Sequence, residues 1–368
     1  MRIAQLANFV GPVSGGLRRA VDKLGRGYAA AGHERLLVVP GPEDSVTQTE
    51  DGCVVTVKSP GVGAGYRMVA NTAKVCEALR RFAPTSIEVS DKWTMTAVAM
   101  WARRHSIPTV LVSHERLDDM ASMFLDMDLT TPVRALNSYL ASAYDRVVVT
   151  TRYSAGEWLG TRARLVVQSL GVDLDEFVPS SQATPDSGRA SRPLSLIYAG
   201  RLSREKSPDL AVATAVELDR RGVDVQLHVY GTGPMADELR ALGEGAPVFF
   251  HGYLDSRQGL AQAYRVADIA LSVCPAETFG LAILEALACG TPVVTSDRGG
   301  GRESVDATCA QWASPDPAFL AEAVLLMAER VRADPDGMRR AARARAELYP
   351  WSNAIDALLG LHHELAQG

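Results

Sequence analysis

The chain alternates short apolar runs with amphipathic stretches of helical spacing. Ile3–Phe9 is a continuous apolar run with the length of a buried strand. After it come Gly11-Pro-Val-Ser-Gly-Gly16 and a stretch in which Leu17, Val21, Leu24 and Tyr28 share one helix face. Gly32-His33 stops that helix, and Arg35–Val39 is again strand-like. Strand, glycine loop, helix and strand make a βαβ unit, the seed of a parallel doubly wound sheet. Pro40–Asp51 is polar and reads as a surface loop, whereas Cys53–Val57 alternates as a strand does. A glycine-rich stretch, Ser59–Gly65, leads into an amphipathic helix expected over Arg67–Phe82. Ser86–Ser90, Thr109–Ser113 and Arg146–Thr150 supply further strands, with a helix over Trp93–Arg104. Pro179–Pro193 has no apolar period and is rich in serine and proline, so it reads as a linker. The strand pattern restarts at Ser195–Ala199 and continues through Val225–Tyr230, Val248–Tyr253, Asp268–Val273 and Thr291–Ser296. From Pro315 onward the chain is helical, ending in Trp351–Leu365. The pattern predicts two α/β domains, each with its own core, in a chain of 368 residues.

Charge and composition narrow the chemistry. Lys and Arg number 38 against 43 Asp and Glu, a net charge of −5, which argues against nucleic acid as a partner. Five cysteines without a C-x-x-C pair fit buried, reduced thiols and an intracellular protein. The first residues enter a strand directly, with no signal-like apolar core, and no apolar run is long enough to span a membrane. The expectation is a cytoplasmic protein that can still touch a membrane surface. Basic side chains at Arg18, Arg19, Lys23 and Arg26, and at Arg67, Lys74, Arg80 and Arg81, suit either an anionic lipid surface or plain solvation.

Candidate chemistry concentrates between Cys274 and Cys289. A helix expected to start near Thr278 presents the N–H groups of Phe279, Gly280, Leu281 and Ala282, with the helix dipole behind them, as an anion site. Glu277 precedes that end and Glu285 lies about two turns on, roughly 12 Å of rise. The two carboxylates could grip hydroxyl-bearing ends of a folded ligand; the spacing also fits a loop glutamate and a helix-surface glutamate. Gly200-Arg201 to Lys206, after a strand, could neutralise a diphosphate or form an ordinary charged loop. Gly15-Gly16 suits either a tight turn or close backbone approach to a diphosphate. His114 follows the Thr109–Ser113 strand, at the edge where open α/β sheets place ligands. Gly61 and Gly63 begin a dinucleotide-like spacing, but Tyr66 stands where its third glycine belongs. Gly231-Thr-Gly233-Pro-Met-Ala236 mimics the same motif, which Pro234 interrupts. A nicotinamide-dependent dehydrogenase or epimerase and a non-catalytic sugar-binding protein therefore remain alternatives.

In combination these segments carry a resemblance. Glu277-Thr-Phe-Gly-Leu-Ala-Ile-Leu-Glu285 resembles the E-x7-E signature of retaining glycosyltransferases of family 4. Gly200-Arg-Leu-Ser-Arg-Glu-Lys206 resembles that family's G-R-L-x-x-x-K motif, with Ser207 where a glycine often follows. Gly171-Val-Asp-Leu-Asp-Glu-Phe177 resembles the segment that ends its first domain, with Leu170 in place of the usual asparagine. The resemblance implies the two-domain glycosyltransferase-B fold, two Rossmann-like domains facing across a cleft. Residues 1–178 would bind acceptor, joined by helix 351–368; residues 194–350 would bind the nucleotide sugar; 179–193 would link them. It further implies donor contacts at Gly15, Gly16, Arg201, Lys206, Gly231, Gly233, Gly252, Tyr253, Glu277, Phe279, Gly280, Leu281, Ala282 and Glu285. Catalytic roles fall to Glu277, His114, Arg201 and Lys206, and acceptor contacts to His114, Arg67 and Tyr66. No residue is an obvious covalent nucleophile. No cofactor is expected to be tightly bound, and no Asp-x-Asp pair calls for a metal, although a divalent cation is compatible. The most similar subgroup is the actinobacterial phosphatidylinositol mannosyltransferases, which use GDP-mannose. Ala7-Asn-Phe9, Ser14-Gly-Gly-Leu-Arg18, Glu88-Val-Ser-Asp91 and Ser113-His-Glu-Arg-Leu-Asp118 carry that likeness. It implies a GDP-mannose donor, a phosphoinositide lipid acceptor and a peripheral place on the inner membrane face, with a UDP-sugar donor and soluble acceptor as the alternative.

Overall fold

The computed structural model describes residues 1–10, 15–63, 65–125, 127–180 and 192–368. The chain divides into two compact units. Unit 1 comprises Met1–Asp118, Asp128–Leu170 and Trp351–Gly368, and unit 2 comprises Asp119–Met127 and Gly171–Pro350.

Unit 1 carries strands β1 (Arg2–Leu6), β2 (Glu34–Gly41), β3 (Ser45–Thr49), β4 (Gly52–Lys58), β5 (Gly61–Gly63), β6 (Tyr66–Arg67), β7 (Ser86–Val89), β8 (Thr109–Ser113), β9 (Arg146–Val149) and β10 (Leu165–Val167). Eight of them form one sheet in the order β10-β9-β8-β7-β1-β2-β4-β3, parallel throughout except for the β3–β4 pair. Unit 2 carries β11 (Leu194–Ala199), β12 (Val225–Tyr230), β13 (Val248–Gly252), β14 (Ile269–Ser272), β15 (Val293–Ser296) and β16 (Ala310–Ala313), all parallel, in the order β13-β12-β11-β14-β15-β16. In both sheets the first strand lies inside and successive strands are added on either side. That creates a topological switch between β1 and β7 in unit 1 and between β11 and β14 in unit 2, the places where such sheets open a crevice at their carboxyl ends.

Among the described residues the helices are α1 (Gly16–Ala30), α2 (Thr72–Phe82), α3 (Thr96–Arg104), α4 (Leu117–Leu125), α5 (Thr130–Ala143), α6 (Arg152–Gly156), α7 (Pro208–Arg220), α8 (Ala236–Leu242), α9 (Arg257–Val266), α10 (Leu281–Ala288), α11 (Pro317–Ala333), α12 (Pro335–Ala346) and α13 (Trp351–Gln367). The face expected on α1 is the one buried, through Val21, Leu24 and Tyr28. Helix α13 packs on α1, and Gly27 makes this possible: a Cβ there would stand 2.4 Å from Ile355 Cδ1. Beneath α13 lies a fully buried polar cluster. The Glu88 carboxylate accepts bonds from Gln5 Nε2 at 2.8 Å and from the Tyr28 hydroxyl at 2.7 Å. His362, on α13, stands 3.4 Å from the same carboxylate and bonds Ser86 Oγ at 2.7 Å through its other ring nitrogen. Burial alone would raise the Glu88 carboxyl; His362, Gln5 and Tyr28 outweigh it and hold it below the ordinary value.

Several sequence expectations give way. Pro40–Asp51 is not simply a loop, because β2 runs to Gly41 and Ser45–Thr49 pairs antiparallel with β4. Its side chains are all exposed, so no apolar alternation marks it. Arg67 is not the start of a helix: Tyr66–Arg67 pairs antiparallel with Gly61–Gly63, and α2 begins only at Thr72. The segment Gly171–Val178, expected to close the first domain, belongs to unit 2. There Arg257 pairs with Asp173 at 2.7 Å and with Glu176, and lies over the Phe177 ring. The expected linker lies largely outside the described residues.

Candidate functional site

In unit 2 the carboxyl ends of β11, β12 and β13 turn into three loops that are bonded to one another. Leu202 N donates to Thr232 O at 3.0 Å, Gly200 N to Tyr230 O at 3.0 Å, and Gly231 N to Gly252 O at 2.8 Å. Glycine is required for this approach: Gly231 has φ +140, and a Cβ there would lie 1.9 Å from Gly200 O. At Gly233 a Cβ would lie 2.3 Å from Leu202 O. The buried Tyr198 hydroxyl stands 3.3 Å from the carbonyls of both Arg201 and Lys206, so one proton serves both ends of the basic loop. Ser207, which replaces the expected glycine, has φ +45, a left-handed position that explains why glycine suits it.

Across the switch between β11 and β14, the Lys206 ammonium meets the Glu277 carboxylate at 2.8 Å. The other carboxylate oxygen accepts the Phe279 N–H at 3.4 Å. Burial would raise the Glu277 carboxyl, but Lys206 beside it holds it below its ordinary range. Burial would lower the Lys206 ammonium, and Glu277 raises it instead. The site is therefore an intact ion pair at neutral pH. Helix α10 begins at Leu281, later than expected, because Gly280 takes φ +89 and acts as an N-cap without a side-chain bond. The N–H groups of Leu281 and Ala282 thus lie at a helix N-terminus, next to a carboxylate of the protein itself. Arg201 lies 4.0 Å from Glu205. Glu285 is buried within α10, contrary to the reading of a helix-surface glutamate. Gly252 has φ +75 and ends β13, and the Tyr253 ring after it is 61% exposed, open to a planar ligand. Among the described residues no group of three or more His, Cys, Asp or Glu is arranged to hold a metal ion.

Two further contributors in unit 2 lie outside the candidate site residues. The Gly299-Gly300-Gly301 turn clamps the Glu277 loop: Gly300 N donates to Glu277 O at 2.6 Å, and a Cβ at Gly299 would meet Pro275 O at 2.7 Å. Cys274 donates from Sγ to Glu205 O at 3.1 Å, and burial, with Glu277 next, pushes its thiol up to about 11.

In unit 1 His114 stands at the end of β8, in a small cavity shared with Phe9, Ser90, Asp91, Lys92 and Glu115 at the switch between β1 and β7. Burial pushes the His114 imidazole down to about 4, with Glu88 opposing, so it is neutral at physiological pH. Asp91 accepts N–H bonds from Asn8 at 3.3 Å and Trp93 at 2.8 Å, and burial raises its carboxyl. Lys92 is locked by Glu157 and by Glu115 O at 2.9 Å. Phe9 has φ +58, rare for a bulky residue, and touches the Tyr66 ring edge-on at 6.1 Å. Phe9 thus lines the cavity that holds His114 and touches Tyr66. Arg67 is committed elsewhere, donating to Ser59 O at 2.6 Å. Gly15 precedes α1 with nothing within 4 Å of where a Cβ would stand, which leaves its backbone approachable.

Known protein families match segments of both units. A family model described as glycosyl transferases group 1 matches residues 193–330, and one described as a glycosyl transferase 4-like domain matches residues 15–171. The GDP-mannose-dependent alpha-(1-6)-phosphatidylinositol dimannoside mannosyltransferase of Mycobacterium tuberculosis is 38% identical, covering 98% of this chain and 95% of the relative. The D-inositol 3-phosphate glycosyltransferase of Mycolicibacterium smegmatis is 30% identical over 80% of this chain and 71% of the relative. Among solved structures, the sucrose-phosphate synthase of Thermosynechococcus elongatus superposes with a TM-score of 0.80 at 21% identity, covering 99% of both chains. Anabaena HepE in complex with UDP and glucose gives 0.74 at 15% identity, covering 98% of this chain and 99% of HepE. These structures share the fold, two Rossmann-like domains of the glycosyltransferase-B type.

Proposed function

Since the chain belongs to the group 1 glycosyltransferases, joining a glycosyltransferase 4-like domain to a group 1 domain, we propose that it moves mannose from GDP-mannose to an acceptor hydroxyl with retention. The proposed acceptor is a phosphatidylinositol mannoside, a reading supported by the mycobacterial relative. The observation that carries the donor site is the Lys206–Glu277 pair at the switch of unit 2, beside the N-terminus of α10. As the sugar–phosphate bond breaks, negative charge grows on the diphosphate. Arg201, Lys206 and the N–H groups of Phe279 to Ala282 stabilise it there. Positive charge grows on the sugar ring, which the Glu277 carboxylate favours while it orients hydroxyls. The three laced loops carry the rest of the donor contacts: Gly231 and Gly233 bring backbone to the phosphates, and Gly252 and Tyr253 flank the base. Glu285 serves the ribose, and Gly15 and Gly16 offer further backbone to the phosphates. In unit 1 neutral His114, with Tyr66, lines the acceptor side.

The test is transfer from GDP-mannose to a phosphatidylinositol mannoside, with the anomeric configuration of the product read by NMR. Lys206→Ala and Glu277→Gln should each lower turnover about 100- to 1000-fold. Near wild-type rates in either variant would refute the site, and preference for a UDP-sugar over GDP-mannose would replace the donor. No helix among the described residues is long and apolar enough to cross a membrane. A lipid acceptor would therefore be met at the surface, with the basic side chains of α1 as the contact. Arg18 and Arg26 already pair with Asp22 at 3.6 Å and Asp51 at 2.9 Å, which reduces the charge available. Absence of binding to phosphatidylinositol vesicles at low and moderate salt would reject this placement.

A further inference from the structure

Arg345, near the end of α12, makes four bonds with one guanidinium. Nε donates to Ser304 O at 2.9 Å, and Nη2 donates to Glu303 O at 3.2 Å and to the Tyr349 hydroxyl at 3.0 Å. Nη1 lies 3.4 Å from the Asp306 carboxylate. Glu303 and Ser304 close the short turn Gly300–Ser304, and that turn grips the Glu277 loop at two points. Gly300 N donates to Glu277 O at 2.6 Å, and Ser304 Oγ donates to Phe279 O at 3.1 Å. A third link runs through Tyr349, whose ring meets the Phe279 ring edge-on at 6.4 Å and lies under the guanidinium at 5.4 Å.

We propose that Arg345, acting with Tyr349, is a positioning residue that sets where the Glu277–Ala282 loop stands. The proposal rests on the reading that this loop holds the donor sugar. Helix α10 starts at a left-handed glycine without a side-chain cap, so the turn grips the loop where the helix end supplies no cap of its own. Close packing on the turn leaves no slack: a Cβ at Gly301 would come within 2.8 Å of Ile283 Cδ1. An arginine suits the task because its planar fork has five donors in fixed directions, whereas an ammonium cannot serve carbonyls, hydroxyl and carboxylate from one plane. The basic loop from Arg201 to Lys206 has supports of its own besides the Lys206–Glu277 pair, in Tyr198 and the turn around Gly231 and Gly233. Loss of Arg345 should therefore misplace the sugar contact and the Phe279–Ala282 N–H groups, and spare the share of the diphosphate contact that Arg201 and Lys206 carry.

Arg345→Met, Arg345→Lys and Tyr349→Phe are compared with the wild-type protein by calorimetric binding of GDP, by kcat and KM for GDP-mannose, and by thermal melting. Arg345→Met should lower kcat about 10- to 100-fold, as expected for a small displacement of a reacting contact. The Kd for GDP should rise by a smaller factor than kcat falls, because Arg201 and Lys206 keep their hold on the diphosphate. Arg345→Lys should recover part of the rate, and Tyr349→Phe should lose less than Arg345→Met. An equal loss of GDP affinity and kcat would reduce Arg345 to a purely structural residue, and an unchanged kcat in a folded Arg345→Met protein would overturn the proposal outright. Glu277→Gln separates the two readings. If it transfers at the wild-type rate, the donor-site reading itself fails; if it is inactive while Arg345→Met is silent, only the positioning role fails.

Discussion

Replacing Glu88 with leucine removes the acceptor that three donors share in the core of unit 1. Gln5 Nε2 and the Tyr28 hydroxyl lose bonds of 2.8 and 2.7 Å, and His362 loses its partner at 3.4 Å. Each buried donor left without an acceptor costs about 1–3 kcal/mol. His362 keeps Ser86 through its other nitrogen, so its share is the smallest. With about 1 kcal/mol for His362, the sum is about 3–7 kcal/mol. In a unit of this size each kcal/mol moves the melting temperature by about 2–4 °C, so the loss should be roughly 6–28 °C. Differential scanning calorimetry reads it, in a cycle with His362→Leu and the double variant, which should lose less than the sum of the two. The acid side gives a second reading. Glu88 is held below its ordinary value of 4.5, so its contribution is complete above that pH and is lost as the pH falls through the folded-state value. Wild type should therefore lose stability below about pH 4.5 more steeply than Glu88→Gln. A loss under about 2 °C for Glu88→Leu, less than one unsatisfied buried donor should cost, would refute the argument.

Two glycines should respond in opposite directions. Gly231→Ala puts a Cβ 1.9 Å from Gly200 O at φ +140, so it should cost more than about 2 kcal/mol and abolish GDP binding by calorimetry. Gly360→Ala, exposed inside α13 with nothing within 4 Å, should raise the stability of unit 1 by about 0.5–1 kcal/mol in urea titration.

The elements legible in the sequence were those whose burial leaves a mark on it. Thr109–Ser113 and Val225–Tyr230 were read to the residue, because central parallel strands are continuous apolar or strictly alternating runs. Ser45–Thr49 leaves no such mark, because an exposed edge strand needs no apolar side chain. The start of α10 was placed three residues early, since helical spacing cannot show that Gly280 adopts a left-handed backbone. Residue identity pointed to Lys206 and Glu277 separately; their contact joins positions 71 residues apart and exists only in the folded sheet. Arg345 carried no signal, for its work is done through main-chain carbonyls, which any sequence supplies.

The return of α13 to unit 1 has a consequence for biosynthesis. The first 170 residues hold most of that unit, yet His362 and the apolar side of Trp351–Gln367 are translated after all of unit 2. A nascent chain leaving the ribosome would thus carry an unfinished amino-terminal half, with Tyr28 and Glu88 uncovered, while the half behind it closes on its own. Emergence of Trp351–Gln367, rather than of the amino-terminal half, is then the event that completes unit 1.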